Sequence, residues 1–178
     1  MLKVFFVSKY FLLLTVLAVG RCNPDAKEIV YKQNISVTQN LTRYKVIGVK
    51  DGDTFVLLMD GKEQVVRLAH IDCPEKRQPY GNNAKQFVSD RCFGKYVRLL
   101  HANRYDRNNR LLAEVLLEDG TNLNKALVKN GLAWHFKKYS GNREYAALET
   151  AARQQKRGLW VDEDPVAPWN WRHPKKRL

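Results

Sequence analysis

The chain has 178 residues, 44% of them hydrophobic and 28% charged. That length allows one ordinary domain with a tail or two, and that composition excludes a globally disordered chain. Lysine and arginine total 31 against 18 acidic residues, a formal net charge of +13. The imbalance favours a polyanionic partner, nucleic acid or an anionic membrane surface, although many exported proteins are basic without one.

The first twenty residues stand apart. Lys3 and Lys9 precede the apolar run FLLLTVLAVG, which closes on Ala18-Val19-Gly20. A basic start, a short apolar stretch and small residues read as an export signal, residues 1–20, cleaved after Gly20. The expected location is therefore secreted or periplasmic. The alternative is a membrane anchor, through an uncleaved signal or a lipid on Cys22, which Arg21 directly before it disfavours. Residues 21–42 form a polar spacer carrying the glycosylation-type triplets at Asn34 and Asn40. An oxidising compartment permits a Cys73–Cys92 disulfide. Cys92 also fits a helical apolar face with Ala84, Phe87 and Val88, so the pairing stays open.

From Arg43 the pattern sharpens. RYKVIGVK, DTFVLLM and KEQVVRLAHI are strand-like runs joined at Asp51-Gly52 and Asp60-Gly61, a β-meander. A helix follows from about Gly81 to Phe93, then strands KYVRLLHA and LLAEVLLE on either side of the polar loop NRYDRNNR. NLNKALVKNG and REYAALETAARQQKRG are amphipathic helices ended by Gly131 and Gly158. The class is α+β: a five-stranded OB-fold β-barrel with three α-helices, occupying residues 43–162. Residues 163–178 form a basic tail rich in tryptophan and proline.

The informative stretch is RLAHIDCPE, residues 67–75, where a strand-like run ends in Asp72 and Glu75. Acids grouped at a strand end in a basic chain suggest a cation site, a proton-transfer site or a turn. With Asp60-Gly61 as a two-residue turn, Asp53 lies opposite Leu68 and shares the parity of Asp72. Four residues of strand would still hold the two apart by roughly 13 Å, so the strand must bend or stop near Ile71. Zinc at His70 and Cys73 would lack two ligands and is rejected.

DGDTF, RLAHIDCPE, YGNNAKQFV, DRNNRLLAEV, NKALVKNGLA and RGLW follow in that order between Tyr44 and Trp160. This ordered set resembles the staphylococcal (micrococcal) nuclease family, the thermonucleases. The resemblance implies a calcium-dependent endonuclease acting on DNA and RNA and leaving 3′-phosphate ends. It implies carboxylate metal ligands at Asp53 and Asp72, a metal-binding backbone carbonyl at Cys73, and Glu75 as the group that activates water. Arg67 and Arg110 correspond to the arginines that grip the phosphate. The residue types suit the chemistry: calcium prefers oxygen ligands, and guanidiniums offset charge developing on a phosphodiester.

Each residue has a plainer reading taken singly. Asp53 could finish a turn, Arg67 could pack at a barrel edge, and Glu75 and Arg110 could be solvated loop charges. Together and in order those readings lose. The chain departs from the family at Asn108, where a tyrosine is expected, and at Lys137, one of two nucleotide-contacting positions; Tyr139 matches the other. Trp160, Trp169 and Trp171 are expected to pack the tail. The expected state is a monomer with no stable protein partner. The competing class is a non-catalytic OB-fold nucleic-acid binder, and a third reading is a surface-tethered interaction protein using the basic tail.

Overall fold

The computed structural model describes residues 42–173. The signal segment, the spacer with Cys22, and the last five residues lie outside them. Five strands close a barrel: β1 (Arg43–Asp51), β2 (Thr54–Met59), β3 (Lys62–Leu68), β5 (Tyr96–Leu100) and β6 (Leu111–Leu116). The meander expected from the Asp-Gly pairs is present. Asp60 and Gly61 both take positive φ, 50° and 76°, and set Met59 opposite Lys62. A two-residue turn of that hand matches the twist of its strands.

The first turn falls one residue later than expected. Asp51 still pairs with Thr54, so Gly52 and Asp53 make the turn and Asp53 precedes β2. Gly52 is required by close approach: an added Cβ would meet the Cβ of Ala84 at 2.6 Å and of Cys73 at 3.0 Å. The helix that carries Ala84 and the segment around Cys73 are thereby pressed onto this hairpin.

Closure comes from a parallel β3–β6 ladder, Val66 opposite Leu111, and an antiparallel β1–β5 ladder, Arg43 opposite Arg98. Phe55, Leu57, Val66, Leu68, Leu111 and Val115 fill the interior. Burial of such side chains is worth about 1.5–3 kcal/mol each, which fixes the register that carries the site. Around the barrel lie α1 (Gly81–Cys92), α2 (Leu123–Lys129) and α3 (Arg143–Gln154), as expected. Asn122 and Asn142 cap the last two, their side chains accepting from the N–H of Lys125 and Glu144. On α3, Tyr145 and Ala152 are buried and Leu148 packs against the core.

Three features escape the pattern. A two-stranded ladder joins β4 (Ile71–Asp72) to β7 (Trp134–His135) outside the barrel. A 3-10 turn covers Gly158–Val161. A fourth helix, α4 (Pro168–Arg172), begins with proline at its first position, where the missing N–H is no loss. Cys73 and Cys92 are both free and buried, so the permitted disulfide is not formed. Among the described residues no helix is long and apolar enough to cross a membrane.

Candidate active site

The separation of Asp53 and Asp72 expected for a continuous strand disappears because β3 stops early. Leu68 donates its N–H to Asp53 O at 2.8 Å, confirming the register. The chain then turns at Ala69 and His70, and His70 takes a left-handed φ of 69°. β4 leaves the barrel to pair with β7, so the break falls just ahead of Ile71, as the spacing requires. Arg67 spans the resulting gap. Its Nη1 lies 2.9 Å from Asp53 Oδ2 and its Nη2 lies 2.6 Å from Asp72 Oδ1. Nη1 also donates to the carbonyls of Leu68 and Ile71, which seal the turn.

The backbone N–H of Cys73 donates to Asp53 Oδ2 at 2.7 Å, fixing the start of the Pro74–Glu75 loop. The Cys73 thiol is buried, and that burial pushes its pKa well up, so it remains protonated. Toward a hard cation, the group of Cys73 that suits is its carbonyl oxygen rather than its sulfur. On the other side, Thr54 Oγ1 donates to Asp53 Oδ1 at 3.1 Å and accepts from Arg110 Nη1 at 3.4 Å. Arg110 is aimed by Asp106, whose Oδ2 lies 2.7 Å from Nε and 2.6 Å from Nη2. Partial burial would raise the Asp106 carboxyl, but hydrogen bonds from Arg110 and the Asn108 N–H outweigh it and hold the group down. The loop DRNNR is thus an ordered turn around a preset guanidinium.

Arg172, on α4, was not anticipated. Its Nη2 lies 2.7 Å from Asp72 Oδ2 and its Nη1 lies 2.6 Å from Glu75 Oε1. Only its place in a basic, tryptophan-rich tail could have flagged it, and that signal does not distinguish a solvated charge from a docked one. Lys137 pairs at 3.0 Å with Glu149, a buried carboxylate on α3, while its own side chain stays 68% exposed. Tyr139 is 70% exposed, with Phe136 at right angles to it at 4.8 Å and the Lys138 ammonium over its ring at 5.5 Å. Trp160 is buried and Trp169 packs on other rings, whereas Trp171 is half exposed.

Four carboxylates, Asp51, Asp53, Asp72 and Glu75, thus face two guanidiniums, Arg67 and Arg172, while Arg110 is matched by Asp106. The surplus is negative. Burial first, and then the charge of Asp53, push the Asp51 carboxyl up to about 6. Burial also raises Asp72, against the opposing pull of Arg172 and Arg67. A cation placed among these oxygens would relieve that crowding. Among the described residues no three His, Cys, Asp or Glu side chains are gathered to hold an ion by themselves. An ion there would meet Asp53, Asp72 and a backbone carbonyl, and would need water to complete its shell. An all-oxygen, incomplete set of this kind suits a hard cation that tolerates loose coordination.

The fold and the site together are a closed five-stranded barrel with acids and arginines gathered at one strand end. The family model described as "Staphylococcal nuclease homologue" matches residues 65–162. An "Uncharacterized endonuclease" of Escherichia coli is 42% identical over 131 residues, covering 74% of this chain and 85% of that protein. A protein of the same description from Haemophilus influenzae is 39% identical over 133 residues, 74% of each chain. A "Micrococcal nuclease" of Shigella flexneri is 34% identical over 143 residues, covering 75% of this chain and 82% of its own length. The chain belongs to the staphylococcal nuclease family. The family match starts after Asp53 and ends before Arg172.

Proposed function

We propose that the protein is an exported, calcium-dependent endonuclease that hydrolyses phosphodiester bonds of DNA and RNA and leaves 3′-phosphate ends. The observation that carries this reading is the Arg67 bridge between Asp53 and Asp72, with Glu75 and Arg110 tied into the same strand end. Asp53, Asp72 and the Cys73 carbonyl would hold the ion. When bound, it supplies a fixed positive charge against the phosphate oxygens. Glu75, on the exposed loop beyond Pro74, accepts the proton of the attacking water. Arg67 and Arg110 place guanidiniums where negative charge grows on the phosphoryl group, and the bond to the 5′ oxygen breaks. Lys137 and Tyr139 would contact nucleotides outside the reacting phosphate, Tyr139 by stacking on a base.

The test is cleavage of single- and double-stranded DNA and of RNA by the full chain, with calcium, magnesium or excess chelator. Calcium should outperform magnesium, which demands a tighter octahedral shell than two carboxylates and a loop carbonyl offer. Undiminished cleavage in chelator would rule out the ion. Binding measured in chelator should weaken steeply with salt, because neutralised phosphates release counterions. Tight binding with no cleavage under any condition would instead identify a non-catalytic nucleic-acid binder.

A further inference from the structure

We infer that Arg172 is a further residue of the active site, a positioning residue supplied by the C-terminal strap that holds Glu75 in register with Asp72. The inference rests on the nuclease reading and extends it to a part of the chain that the family match does not reach. One guanidinium bridges the two acids: Nη2 to Asp72 Oδ2 at 2.7 Å, Nη1 to Glu75 Oε1 at 2.6 Å. Glu75 otherwise lies on a loop with its side chain 39% exposed, where an unheld carboxylate would sample many rotamers.

The strap also holds the Glu75 backbone. The Glu75 N–H donates to Gln78 Oε1 at 3.1 Å, and Gln78 Nε2 in turn donates to the carbonyl of Val166. The strap itself is fixed by Trp169, whose ring stacks on Phe136 at 5.2 Å and 3° and meets Trp134 edge-on at 5.6 Å. Both ends of Glu75 are therefore tied to residues 166–172, which are anchored by aromatic packing independent of the acids. A carboxylate accepts up to about four hydrogen bonds, so Asp72 keeps acceptor capacity beyond Arg67 and Arg172. A planar fork suits this bridging better than an ammonium does.

The experiment compares Arg172→Ala, Arg172→Lys, Glu75→Gln and the Arg172→Ala/Glu75→Gln pair in the full chain. Single-turnover rate, KM, and the guanidinium NMR resonance of Arg172 are measured for each. Arg172→Ala should lower kcat about tenfold or more with KM within about twofold, and Arg172→Lys should recover only part of it. In the Glu75→Gln background the same change should cost less than about twofold, because a residue acting through Glu75 has nothing left to position. Glu75→Gln should shift the Arg172 resonance with the ion absent.

Parent-like or faster cleavage by Arg172→Ala would overturn the positioning role, the faster outcome marking Arg172 as a plug. Losses that multiply in the double variant would overturn action through Glu75. An unmoved resonance in a protein that cleaves would overturn the bridge alone. A parent that cleaves nothing would overturn the nuclease reading, and this role with it.

Discussion

Two clusters of buried polar groups flank the β4–β7 ladder, and they are built to opposite rules. Behind it, Ser140 Oγ lies 2.9 Å from His70 Nδ1 and 3.0 Å from His135 Nε2. Glu114 accepts from the Tyr145 hydroxyl at 2.8 Å, and Glu149 is matched by Lys137 and Arg153. Each acid there meets its donors within the chain. At the strand end the acids outnumber the arginines and Asp51 is pushed toward neutrality. A buried network that closes on itself supports the fold, whereas one left with surplus charge requires something from outside.

The sharpest test of that contrast is Arg67→Met. It removes the cation between Asp53 and Asp72 and leaves both carboxylates buried and facing each other, at a cost of about 3–5 kcal/mol. Urea unfolding of the metal-free variant should show that loss. Saturating calcium should restore much of it, because an ion would take over the compensation. An equal loss with and without calcium would mean that no ion enters between these acids.

Arg110→Ala should slow cleavage by about a hundredfold or more, the effect of losing one preorganised charge-stabilising group, roughly 3–4 kcal/mol. Arg110→Lys should also be poor, since an ammonium cannot reproduce the fork. Unlike Arg67, Arg110 is partly exposed and bonded to a loop acid, so both variants should unfold at nearly the parent urea concentration. Single-turnover cleavage beside an unfolding curve separates the two effects. Parent-rate cleavage by both folded variants would make Arg110 a bystander.

The contrast also explains what was legible in the sequence. Barrel strands and helices were readable because period and turn chemistry are local: Asp60-Gly61 alone sets the register that puts Asp53 opposite Leu68. The ordered motifs carried the residues of the site, but not how they meet. That depends on a left-handed turn at His70, a conformation uncommon outside glycine that histidine, like asparagine and aspartate, adopts more readily than most residues. Arg172 was unreadable for a different reason. Its partners lie about a hundred residues earlier, and long-range ion pairs leave no periodicity. Lys137 makes the same point: it pairs with buried Glu149, a partner that helix periodicity would assign to the apolar face of α3.

A smaller effect is expected in the closed network. Tyr145 is fully buried and its hydroxyl bonds Glu114, so Tyr145→Phe should cost about 0.5–1.5 kcal/mol of stability, the net worth of that bond, because Asn122 still donates to the same oxygen. Because this network is complete without an ion, the loss should be the same in calcium and in chelator. A calcium-dependent loss would mean that the two clusters are coupled.

The smallest effect tests whether that network is closed to protons as well. His135 is buried and its Nδ1 has no partner, so a doubly protonated ring would strand one N–H in the interior. Burial lowers its pKa below the usual 6.5, and Lys137 adds to that, while Glu149 pulls the other way. A histidine lowered on folding binds its proton more readily when unfolded. Its contribution to stability is therefore complete above 6.5 and is lost as pH falls through 6.5 toward the folded value. Urea unfolding in chelator at pH 7.5 and 5.5 should show the parent losing more stability than His135→Gln, which keeps a neutral partner for Ser140 and cannot titrate. Equal losses in the two proteins would mean that protons reach His135 without cost.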